Sequence, residues 1–426
     1  MKKVCSELLK EEYYFTTLAN GLRVFLMPKT SFYRTYALFG TRFGSIDQEF
    51  IPLGQKQYRK VPAGVAHFLE HKTFECEDGS DASDLFAQLG ADVNAYTSYD
   101  RTVYLFSATS NISEATTTLL DFVQSPYFTK ENVDKEQGII EQELLMYLDK
   151  PDTDCYVSIL KNLYFKNYIR EDIGGTVSSI KEIDKEVLDT CYNTFYHPSN
   201  MTLVLVGNFD YEELLKVITD NQNKKKFALP TKVNRRYYTE SNLVHQALSQ
   251  NHFDVIIPKI ACGIKFAYEN LSDMEIFKNS IMLEMLLDMY FDHSSDNYQT
   301  MLKQGIIDNS FDYDSYYEKT FAHAIFTVDT NKVEEFQKFM EQALLAIKDT
   351  PIKEEVFKRY KRLDQASTLY RFNSLEYIAN LFIEFDFSNL EMFEAIETKN
   401  NITIAELEEF KKQFVKEAIS FHIITK

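Results

Sequence analysis

The pattern of hydrophobic and polar positions divides the chain into short apolar runs and longer amphipathic stretches. The short runs are rich in aromatic and β-branched residues, which predicts strands at 14–17, 22–27, 35–43, 94–96, 102–107, 201–206 and 419–424. Apolar residues recur at helical spacing in 113–123 and 130–147, which predicts helices there. Strands and helices are grouped along the chain instead of alternating, and this grouping is typical of an α+β fold.

The two halves of the chain repeat one pattern. Residues 119–133 and 344–356 both contain the end of a helix, a small residue followed by proline, an acidic segment, and a valine that begins another helix. Aligning these segments pairs Val133 with Val356, and each half also ends in an apolar strand. We therefore expect a duplicated unit.

A polar stretch, NQNKKK, separates the two halves. It predicts an N-terminal domain at 1–226 and a homologous C-terminal domain at 227–426. The chain has 426 residues, of which 45% are hydrophobic and 26% charged, so each predicted domain is long enough to bury its own core.

Charge and targeting signals narrow the possible partners. The chain has 46 basic and 64 acidic side chains and a net charge of −18, so nucleic acid and anionic membrane surfaces repel it and are not expected as partners. No stretch approaches the length of an apolar membrane span, and the N-terminus lacks the apolar run of a secretory signal. Five widely spaced cysteines, an odd number, fit reduced thiols, so we expect a cytoplasmic protein.

The most informative segment is His67-Phe68-Leu69-Glu70-His71. On a helix the two histidines lie one turn apart on the same face, and Glu70 lies beside them. Two imidazoles at this spacing can bind one Zn²⁺, while the carboxylate reaches a water molecule bound to the same ion. The order H-x-x-E-H is the reverse of the H-E-x-x-H order of other zinc peptidases. The segment therefore predicts a catalytic zinc site.

The alternative is a surface helix that carries two histidines and an acid by chance. That alternative predicts polar neighbours, whereas the segment also contains the apolar residues Val65, Ala66, Phe68 and Leu69. Placing two histidines and a glutamate among apolar side chains costs desolvation free energy unless something pairs them. We therefore prefer the metal site.

A catalytic zinc ion takes three protein ligands and leaves a fourth position to water, so a third ligand is needed. The helix predicted at 130–147 offers five acids, namely Glu131, Asp134, Glu136, Glu141 and Glu143. Glu136 and Glu143 are two turns apart on one face of this helix. Spacing alone does not choose among the five.

Several segments carry a resemblance to a known family, namely GVAHFLEHKTFE, GADVNAYTSYDRTVYLFS, KEQGIIEQELLMYLDKPD and FYHPSNMTLVLVGNFD. They resemble the zinc peptidases of the insulinase, pitrilysin and mitochondrial processing peptidase family. The likeness extends through most of 14–215 and continues more weakly through the second half. It is strongest to short bacterial members in which a chain with the H-x-x-E-H motif works beside a related chain that lacks it.

The resemblance implies two homologous domains, each a mostly antiparallel sheet with helices packed on one face, that face each other across a peptide chamber. It also implies one Zn²⁺ per chain, with His67, His71 and Glu143 as the metal ligands. Glu136 then lies behind the ligands, where its carboxylate orients a histidine and raises its basicity.

For the substrate, the resemblance implies that the strand with Asn94, Ala95 and Tyr96 accepts an extended peptide as an added strand. We therefore expect a zinc-dependent endopeptidase that hydrolyses peptides or unfolded segments, with Glu70 as the general base toward a metal-activated water. The alternative is a non-catalytic member of the family that binds peptides or scaffolds a complex.

The second half departs from the first and from the family. In the alignment of the two halves, Arg359 and Ala366 take the places of Glu136 and Glu143, so the C-terminal domain is expected to lack metal ligands. Active family members also carry an Arg…Tyr pair early in the second half, whereas the matching stretch at 301–308, MLKQGIID, has neither residue. The resemblance therefore implies a homologous partner subunit that supplies this pair, or a homodimer.

Overall fold

The structure is a computed structural model that describes residues 1–230 and 232–426. Fourteen strands lie in these residues, namely β1 (Lys2–Ser6), β2 (Glu11–Thr17), β3 (Arg23–Pro28), β4 (Thr35–Thr41), β5 (Glu49–Phe50), β6 (Arg59–Lys60), β7 (Ala91–Thr97), β8 (Thr102–Ala108), β9 (Met201–Gly207), β10 (Leu248–His252), β11 (Lys259–Lys265), β12 (Asp312–Tyr317), β13 (Ala322–Asp329) and β14 (Ile419–Thr425). Fifteen α-helices lie in the same residues, namely α1 (Val65–Thr73), α2 (Ala82–Leu89), α3 (Ile112–Val123), α4 (Lys130–Leu148), α5 (Pro151–Leu163), α6 (Val177–Ile180), α7 (Lys185–Phe195), α8 (Tyr211–Lys224), α9 (Asp273–Phe291), α10 (Asp296–Lys303), α11 (Val333–Asp349), α12 (Glu354–Arg371), α13 (Leu375–Phe387), α14 (Met392–Asn400) and α15 (Ile404–Phe410).

Two main sheets share one plan of strand pairing. The first has seven strands in the order β1-β2-β3-β9-β4-β8-β7, and the second has five in the order β10-β14-β11-β13-β12. In each sheet one pair is parallel, β3 with β9 and β10 with β14. All the other neighbours in the two sheets are antiparallel. The predicted α+β fold with two similar, mostly antiparallel sheets is therefore confirmed.

The chain forms two compact units, each built around one of these sheets. Unit 1 consists of Met1–Leu145, Asp172–Arg236 and Leu369–Phe393. Unit 2 consists of Met146–Glu171, Tyr237–Thr368 and Glu394–Lys426. Each unit corresponds to one half of the sequence, with two exceptions. The boundary lies a few residues further along the chain, and each unit includes one segment from the other half. The homologous domains at 1–226 and 227–426 stay a prediction about the repeat in the sequence.

Each exchanged segment contains a helix that covers a sheet. Helix α13, from the second half of the chain, packs on β9 and β4 of unit 1, and α5, from the first half, packs on β11 and β14 of unit 2. On α13, the Phe382 ring lies 4.8 Å from the Tyr13 ring and 5.3 Å from the Phe25 ring. Sheet residues of unit 1 that point the other way, such as Phe39, share a core with Leu119 of α3. Helices therefore cover both faces of this sheet.

The predicted strands and helices are found, with ends that differ by a few residues. The edge strand β1 was not predicted from the sequence, because only Ser6 of its residues is buried and the strand has no alternating apolar side. An edge strand has a single neighbour and less side-chain surface to bury, so its sequence carries a weak signal.

Helix α1 carries the predicted metal motif and belongs to the core of unit 1. Its residues Ala66, Phe68 and Leu69 are buried in that core. His67 and His71 lie on the remaining side of the helix and are partly exposed. The apolar residues of the motif therefore fix α1 to the sheet and present its polar side chains as one group.

Candidate metal centre

A glycine turn fixes the start of α1. Gly64 precedes the helix with a φ of 88°, in the left-handed region that L side chains rarely adopt. A Cβ atom at Gly64 would stand 2.3 Å from the carbonyl oxygen of Gly174, so close packing also excludes a side chain. The start of α1 is therefore packed against the turn at 172–175.

Three potential ligand atoms converge beside α1. Glu143 Oε2, on α4, lies 3.7 Å from His71 Nε2 and 4.0 Å from His67 Nε2. The three ligand atoms lie within 4.8 Å of one another, and residues 1–230 and 232–426 contain no other such group of three. The structure thus brings together the two histidines of the motif and one acid from a distant helix.

This donor set fits a zinc ion. Two imidazole nitrogens and one carboxylate oxygen form the His₂Glu set of catalytic zinc sites, which leave the fourth position open. Zinc–ligand bonds of about 2.0–2.2 Å place tetrahedral ligand atoms about 3.3 Å apart. The observed separations of 3.7 and 4.0 Å are only slightly larger, so small side-chain movements are enough to close the site.

A second acid of α4, Glu136, supports His71. Glu136 Oε1 lies 3.1 Å from His71 Nδ1, and the Glu136 side chain is largely buried. Burial lowers the pKa of His71, but the hydrogen bond and charge of Glu136 outweigh it and raise this pKa above its ordinary value. A metal-binding histidine usually donates its other ring N–H to a carboxylate, and Glu136 is placed to accept it.

Glu70 is held by the end of strand β7. The Thr97 hydroxyl donates a hydrogen bond to Glu70 Oε2, with 2.6 Å between the oxygens. Burial raises the pKa of Glu70, while the hydrogen bond from Thr97 opposes this shift. A carboxylate with a raised pKa is a stronger proton acceptor and is better matched to general-base chemistry near neutral pH.

His67 differs from His71 in its surroundings. Burial, with a smaller contribution from the charge of His71, lowers the pKa of His67 to about 4. The imidazole is therefore neutral near pH 7, and this is the form that binds a metal ion. Its Nδ1 atom is buried and has no hydrogen-bond partner among the described residues.

An open cavity of about 490 Å³ lies beside these groups within unit 1. Its wall includes Glu70, His71, Asn94, Ala95 and Ile139. Strand β7 is the last strand of its sheet in the described residues, so its outer edge has no neighbouring strand there. The cavity thus joins the predicted base to an open sheet edge.

The three residues predicted to bind substrate lie on β7 but not all in this cavity. Asn94 and Ala95 are in its wall. The Tyr96 hydroxyl instead donates a hydrogen bond of 2.9 Å to Asn380 Oδ1 on α13. The Ala95 N–H donates to Asn94 Oδ1 at 2.9 Å, which indicates that this N–H points to the open edge and not to β8.

The five acids left open by the sequence have different positions in the structure. Glu143 lies at the two histidines and Glu136 lies behind His71. Glu141 pairs with a lysine at 2.9 Å and Asp134 with another at 2.5 Å, and Glu131 is exposed. The geometry thus favours Glu143 as the third ligand, and the roles of these residues stay predictions.

Two parts of the site, Thr97 and the turn at 172–175, were not predicted from the sequence. Side chains alternate along a strand, so Thr97 is expected on the opposite face from Tyr96, and this pattern could have identified Thr97. The Gly174-Gly175 pair signals a turn, but nothing in the sequence indicates that this turn packs against His67.

In unit 2 the corresponding place has other chemistry. Thr97 ends β7 and Tyr317 ends β12, and the two residues occupy equivalent positions in the strand pairing. The Tyr317 hydroxyl contacts Asn279 Nδ2 of α9 at 3.0 Å, whereas Thr97 contacts Glu70. An amide in place of the carboxylate cannot serve as a general base, and α9 contains no histidine.

A duplicated α+β fold with an H-x-x-E-H helix and a distant glutamate defines a class of zinc peptidases. The family profile described as Insulinase (Peptidase family M16) matches residues 50–176, and the one described as Peptidase M16 inactive domain matches residues 182–363. A Bacillus subtilis protein named uncharacterized zinc protease YmfH is 38% identical over 409 residues, which cover 96% of this chain and 95% of that protein. The chain therefore belongs to the insulinase family of peptidases, family M16.

Solved structures agree with this assignment. The crystal structure of an M16-like peptidase from Alicyclobacillus acidocaldarius matches with a TM-score of 0.93 at 34% identity, and the match covers 99% of each chain. A protease from Helicobacter pylori matches with a TM-score of 0.84 at 16% identity, covering 98% of this chain and 100% of that chain. The second likeness shows the fold alone. The family resemblance drawn from the sequence is confirmed.

Proposed function

We propose that this chain is a zinc-dependent endopeptidase that hydrolyses peptides or unfolded segments. The observation that carries the proposal is the convergence of His67, His71 and Glu143 beside a Glu70 carboxylate held by Thr97. Relatives named as zinc proteases support the choice of metal. The expected content is one zinc ion per chain.

When bound to these three residues, zinc lowers the pKa of a coordinated water and polarises the carbonyl of the scissile bond. Glu70 takes the proton of the attacking water and later delivers it to the leaving amine. The hydrogen bond from Thr97 fixes one oxygen of Glu70, so the other oxygen is directed at this proton. Glu136 holds the ring of His71 in the orientation that presents Nε2 to the metal.

The open edge of β7 is the proposed binding site for substrate. An extended peptide that adds to this edge forms main-chain hydrogen bonds with the strand that contains Asn94, Ala95 and Tyr96. The Asn94 side chain accepts a hydrogen bond from the Ala95 N–H, so a docking peptide has to displace this side chain. Main-chain hydrogen bonds depend little on the side chains of the bound peptide, so a broad range of substrates is expected.

The proposed active form is a dimer. The stretch at 301–308 has no Arg…Tyr pair, so the chain lacks two residues that the family resemblance leads us to expect in an active member. We propose that a homologous partner subunit supplies this pair, or that two copies of the chain form a homodimer. Peptide cleavage by the chain alone and in a mixture with a co-encoded homologue tests this proposal, and a large rise in rate on mixing is the expected result.

The proposed compartment is the cytoplasm. Among the described residues, every helix is too short or too polar to cross a lipid bilayer. All five cysteines are unpaired, and Cys155, Cys191 and Cys262 are buried. Free thiols fit a reducing compartment.

The alternative, a non-catalytic peptide-binding or scaffolding member, is disfavoured by the site itself. A scaffold does not require a buried acid behind a metal ligand or a carboxylate held for proton transfer, and unit 1 has both, in Glu136 and Glu70. These side chains favour an enzyme.

The variant Glu70→Gln tests the proposal, with Asn279→Gln in unit 2 as its matched control. Glu70→Gln keeps the metal ligands and removes the base, so we expect unchanged zinc content and a loss of about 10²–10⁴-fold in cleavage of a fluorogenic peptide. Asn279→Gln is expected to cleave like the wild type. Wild-type cleavage by Glu70→Gln contradicts the proposed mechanism.

A further inference from the structure

The two imidazoles of the metal centre have unequal support. His71 Nδ1 lies 3.1 Å from the carboxylate of Glu136. His67 Nδ1 is buried and has no hydrogen-bond partner among the described residues. A histidine that binds zinc through Nε2 carries a proton on Nδ1, and this buried N–H requires an acceptor. His67 Nδ1 therefore still needs an acceptor among the neighbouring side chains.

The turn at 172–175 is the neighbour of this nitrogen. A Cβ atom built on Gly174 would lie 3.7 Å from His67 Nδ1 and 3.3 Å from Asp172 Oδ1. The carboxylate oxygen and the unpartnered nitrogen thus border the same small space above Gly174. Asp172 Oδ1 accepts the Gly174 N–H at 2.8 Å, which holds the carboxyl group close to this space.

The other two acids near the histidines, Glu143 and Glu136, contact ring atoms other than His67 Nδ1. Glu143 Oε2 lies on the Nε2 side of both rings, at 4.0 Å from His67 Nε2. Glu136 is engaged with His71. Asp172 is therefore the carboxylate that the structure places beside the Nδ1 side of His67.

We propose that Asp172 is a positioning residue for His67 and accepts the hydrogen bond from its Nδ1–H when zinc binds. The inference rests on the proposed zinc site. A carboxylate has about four acceptor positions on its two oxygens, so Asp172 can keep the Gly174 N–H and also accept a hydrogen bond from His67 Nδ1–H. Asp172 then does for His67 what Glu136 does for His71, and both rings are fixed in the orientation that presents Nε2 to the metal.

The absence of a side chain at position 174 fits this role. A Cβ atom there would meet Leu144 Cδ2 at 2.9 Å, and Leu144 follows the ligand Glu143 on α4. A side chain at this position would therefore displace the turn or the Leu144 side chain, and it would enter the space between Asp172 and His67. Glycine keeps the carboxylate next to the ring.

The test measures zinc affinity and the His67 Nδ1–H signal in Asp172→Asn and Asp172→Ala. We expect Asp172→Ala to weaken zinc binding about 10–100-fold in competition with a chelator. Asp172→Asn keeps an oxygen for the Gly174 N–H, but the amide nitrogen that replaces the second oxygen is a donor and cannot accept from His67 Nδ1–H, so we expect weaker zinc binding in this variant too. In the zinc-bound protein labelled with ¹⁵N-histidine, the downfield Nδ1–H resonance of His67 should move upfield in Asp172→Asn and exchange rapidly with water in Asp172→Ala.

Asp210→Ala is the matched control. The Asp210 side chain accepts the backbone N–H groups of Glu212 and Glu213, both at 2.9 Å, at the start of α8. Its removal deletes comparable local hydrogen bonds away from the metal centre, so zinc affinity and the His67 resonance should not change.

The outcomes separate this inference from the proposed function. If the wild-type chain binds no zinc, both fail. If the wild type binds zinc, and Asp172→Asn keeps the wild-type affinity and the wild-type His67 Nδ1–H resonance, the role of Asp172 is wrong and the zinc peptidase proposal stands. Asp172→Asn alone decides the matter if Asp172→Ala does not fold.

Discussion

The strand order β3-β9-β4-β8-β7 of unit 1 has its counterpart in β10-β14-β11-β13-β12 of unit 2, with the same parallel pair at one end. In both units a helix also contacts the end of the edge strand through a polar side chain. That side chain is Glu70 on α1 and Asn279 on α9. The contact between helix and strand is therefore common to the two units, whereas the ability to take a proton belongs to unit 1 alone.

The helices that follow show a second difference. Helix α4 carries Glu136 and Glu143, and the equivalent places on α12, by alignment of the two halves, are occupied by Arg359 and Ala366. Unit 2 keeps its sheet and helices without any of these acids. The fold therefore does not depend on the residues predicted to bind zinc, and a small set of side chains distinguishes unit 1 from unit 2.

The largest effect is expected from removing the third ligand. Glu143→Ala leaves two histidines, so zinc binding should weaken by more than the about 10–100-fold caused by losing a group behind a ligand. Peptide cleavage should fall to background. Zinc content after dialysis and cleavage of a fluorogenic peptide check both statements.

Ala366→Ser, at the equivalent place in unit 2, is the control for this variant. It should change neither zinc content nor activity. Full zinc binding by Glu143→Ala, or a loss of zinc in Ala366→Ser, contradicts the division of roles between the units.

A smaller effect is expected from filling the space above Gly174. In Gly174→Ala the new methyl group meets Leu144 Cδ2 at 2.9 Å, so the turn or the side chain has to move. Such overpacking costs about 1–3 kcal/mol of unfolding free energy. Denaturant unfolding of the metal-free protein measures this cost, and zinc affinity should fall in the same variant.

Gly138→Ala is the matched control on α4. A Cβ atom at Gly138 meets nothing within 4 Å, and alanine is favoured over glycine inside a helix by about 0.8–1.0 kcal/mol. We therefore expect this variant to be slightly more stable than the wild type. Equal losses of stability in both glycine variants would show that the packing at Gly174 is not the cause.

His323 of unit 2 should contribute to the loss of stability at acid pH. Burial lowers the pKa of His323 to about 3, and its Nδ1 contacts the Tyr164 hydroxyl at 3.0 Å. Below about pH 6.5 the unfolded chain takes up a proton that folded His323 does not, so stability falls as the pH drops toward 3. Uptake of one such proton lowers the free energy of unfolding by at most about 1.4 kcal/mol per pH unit.

His323→Val tests this contribution, since Val103 occupies the equivalent place in unit 1. The variant loses one hydrogen bond at neutral pH but should show a shallower decline of stability between pH 6.5 and 4.5. Urea unfolding at several pH values measures how the free energy of unfolding changes with pH in the variant and in the wild type. An unchanged slope means that His323 does not carry this pH dependence.

The smallest effect concerns the edge strand. Tyr96→Phe removes the hydrogen bond to Asn380 and leaves that amide oxygen without this donor, so we expect a loss of about 0.5–1.5 kcal/mol. Tyr33→Phe is the control, because Tyr33 is 90% exposed and its hydroxyl can hydrogen-bond to water, so this change should have little effect on stability. Thermal unfolding distinguishes the two variants, and equal melting temperatures would show that the contact with α13 is unimportant.

The sequence predicted those parts of the molecule that are encoded locally. The spacing of His67 and His71 follows from helix geometry, and the alternating strands follow from side-chain burial. The choice of Glu143 among five acids needed the family resemblance, because a ligand that is distant in sequence leaves no local signal. Its position beside the histidines depends on how α4 packs, which only the structure gives.

The exchange of α5 and α13 between the units could not be predicted. Each helix has an apolar side that fits a sheet, and its sequence does not say which of two similar sheets it covers. Thr97 and Asp172 were missed for a related reason. Threonine at a strand end and aspartate in a turn are common, and the contact of Thr97 with Glu70 and the packing of the turn at 172–175 against α1 arise from tertiary structure.

Anomalous diffraction at the zinc edge, from crystals of the zinc-loaded protein, would locate the metal ion relative to the three proposed ligands. We expect one strong peak per chain, about 2.0–2.2 Å from His67 Nε2, His71 Nε2 and a Glu143 carboxylate oxygen, with water at the fourth position. A fourth side chain on the metal, or a peak elsewhere with Glu143 turned away from the imidazoles, would contradict a catalytic zinc site at these residues.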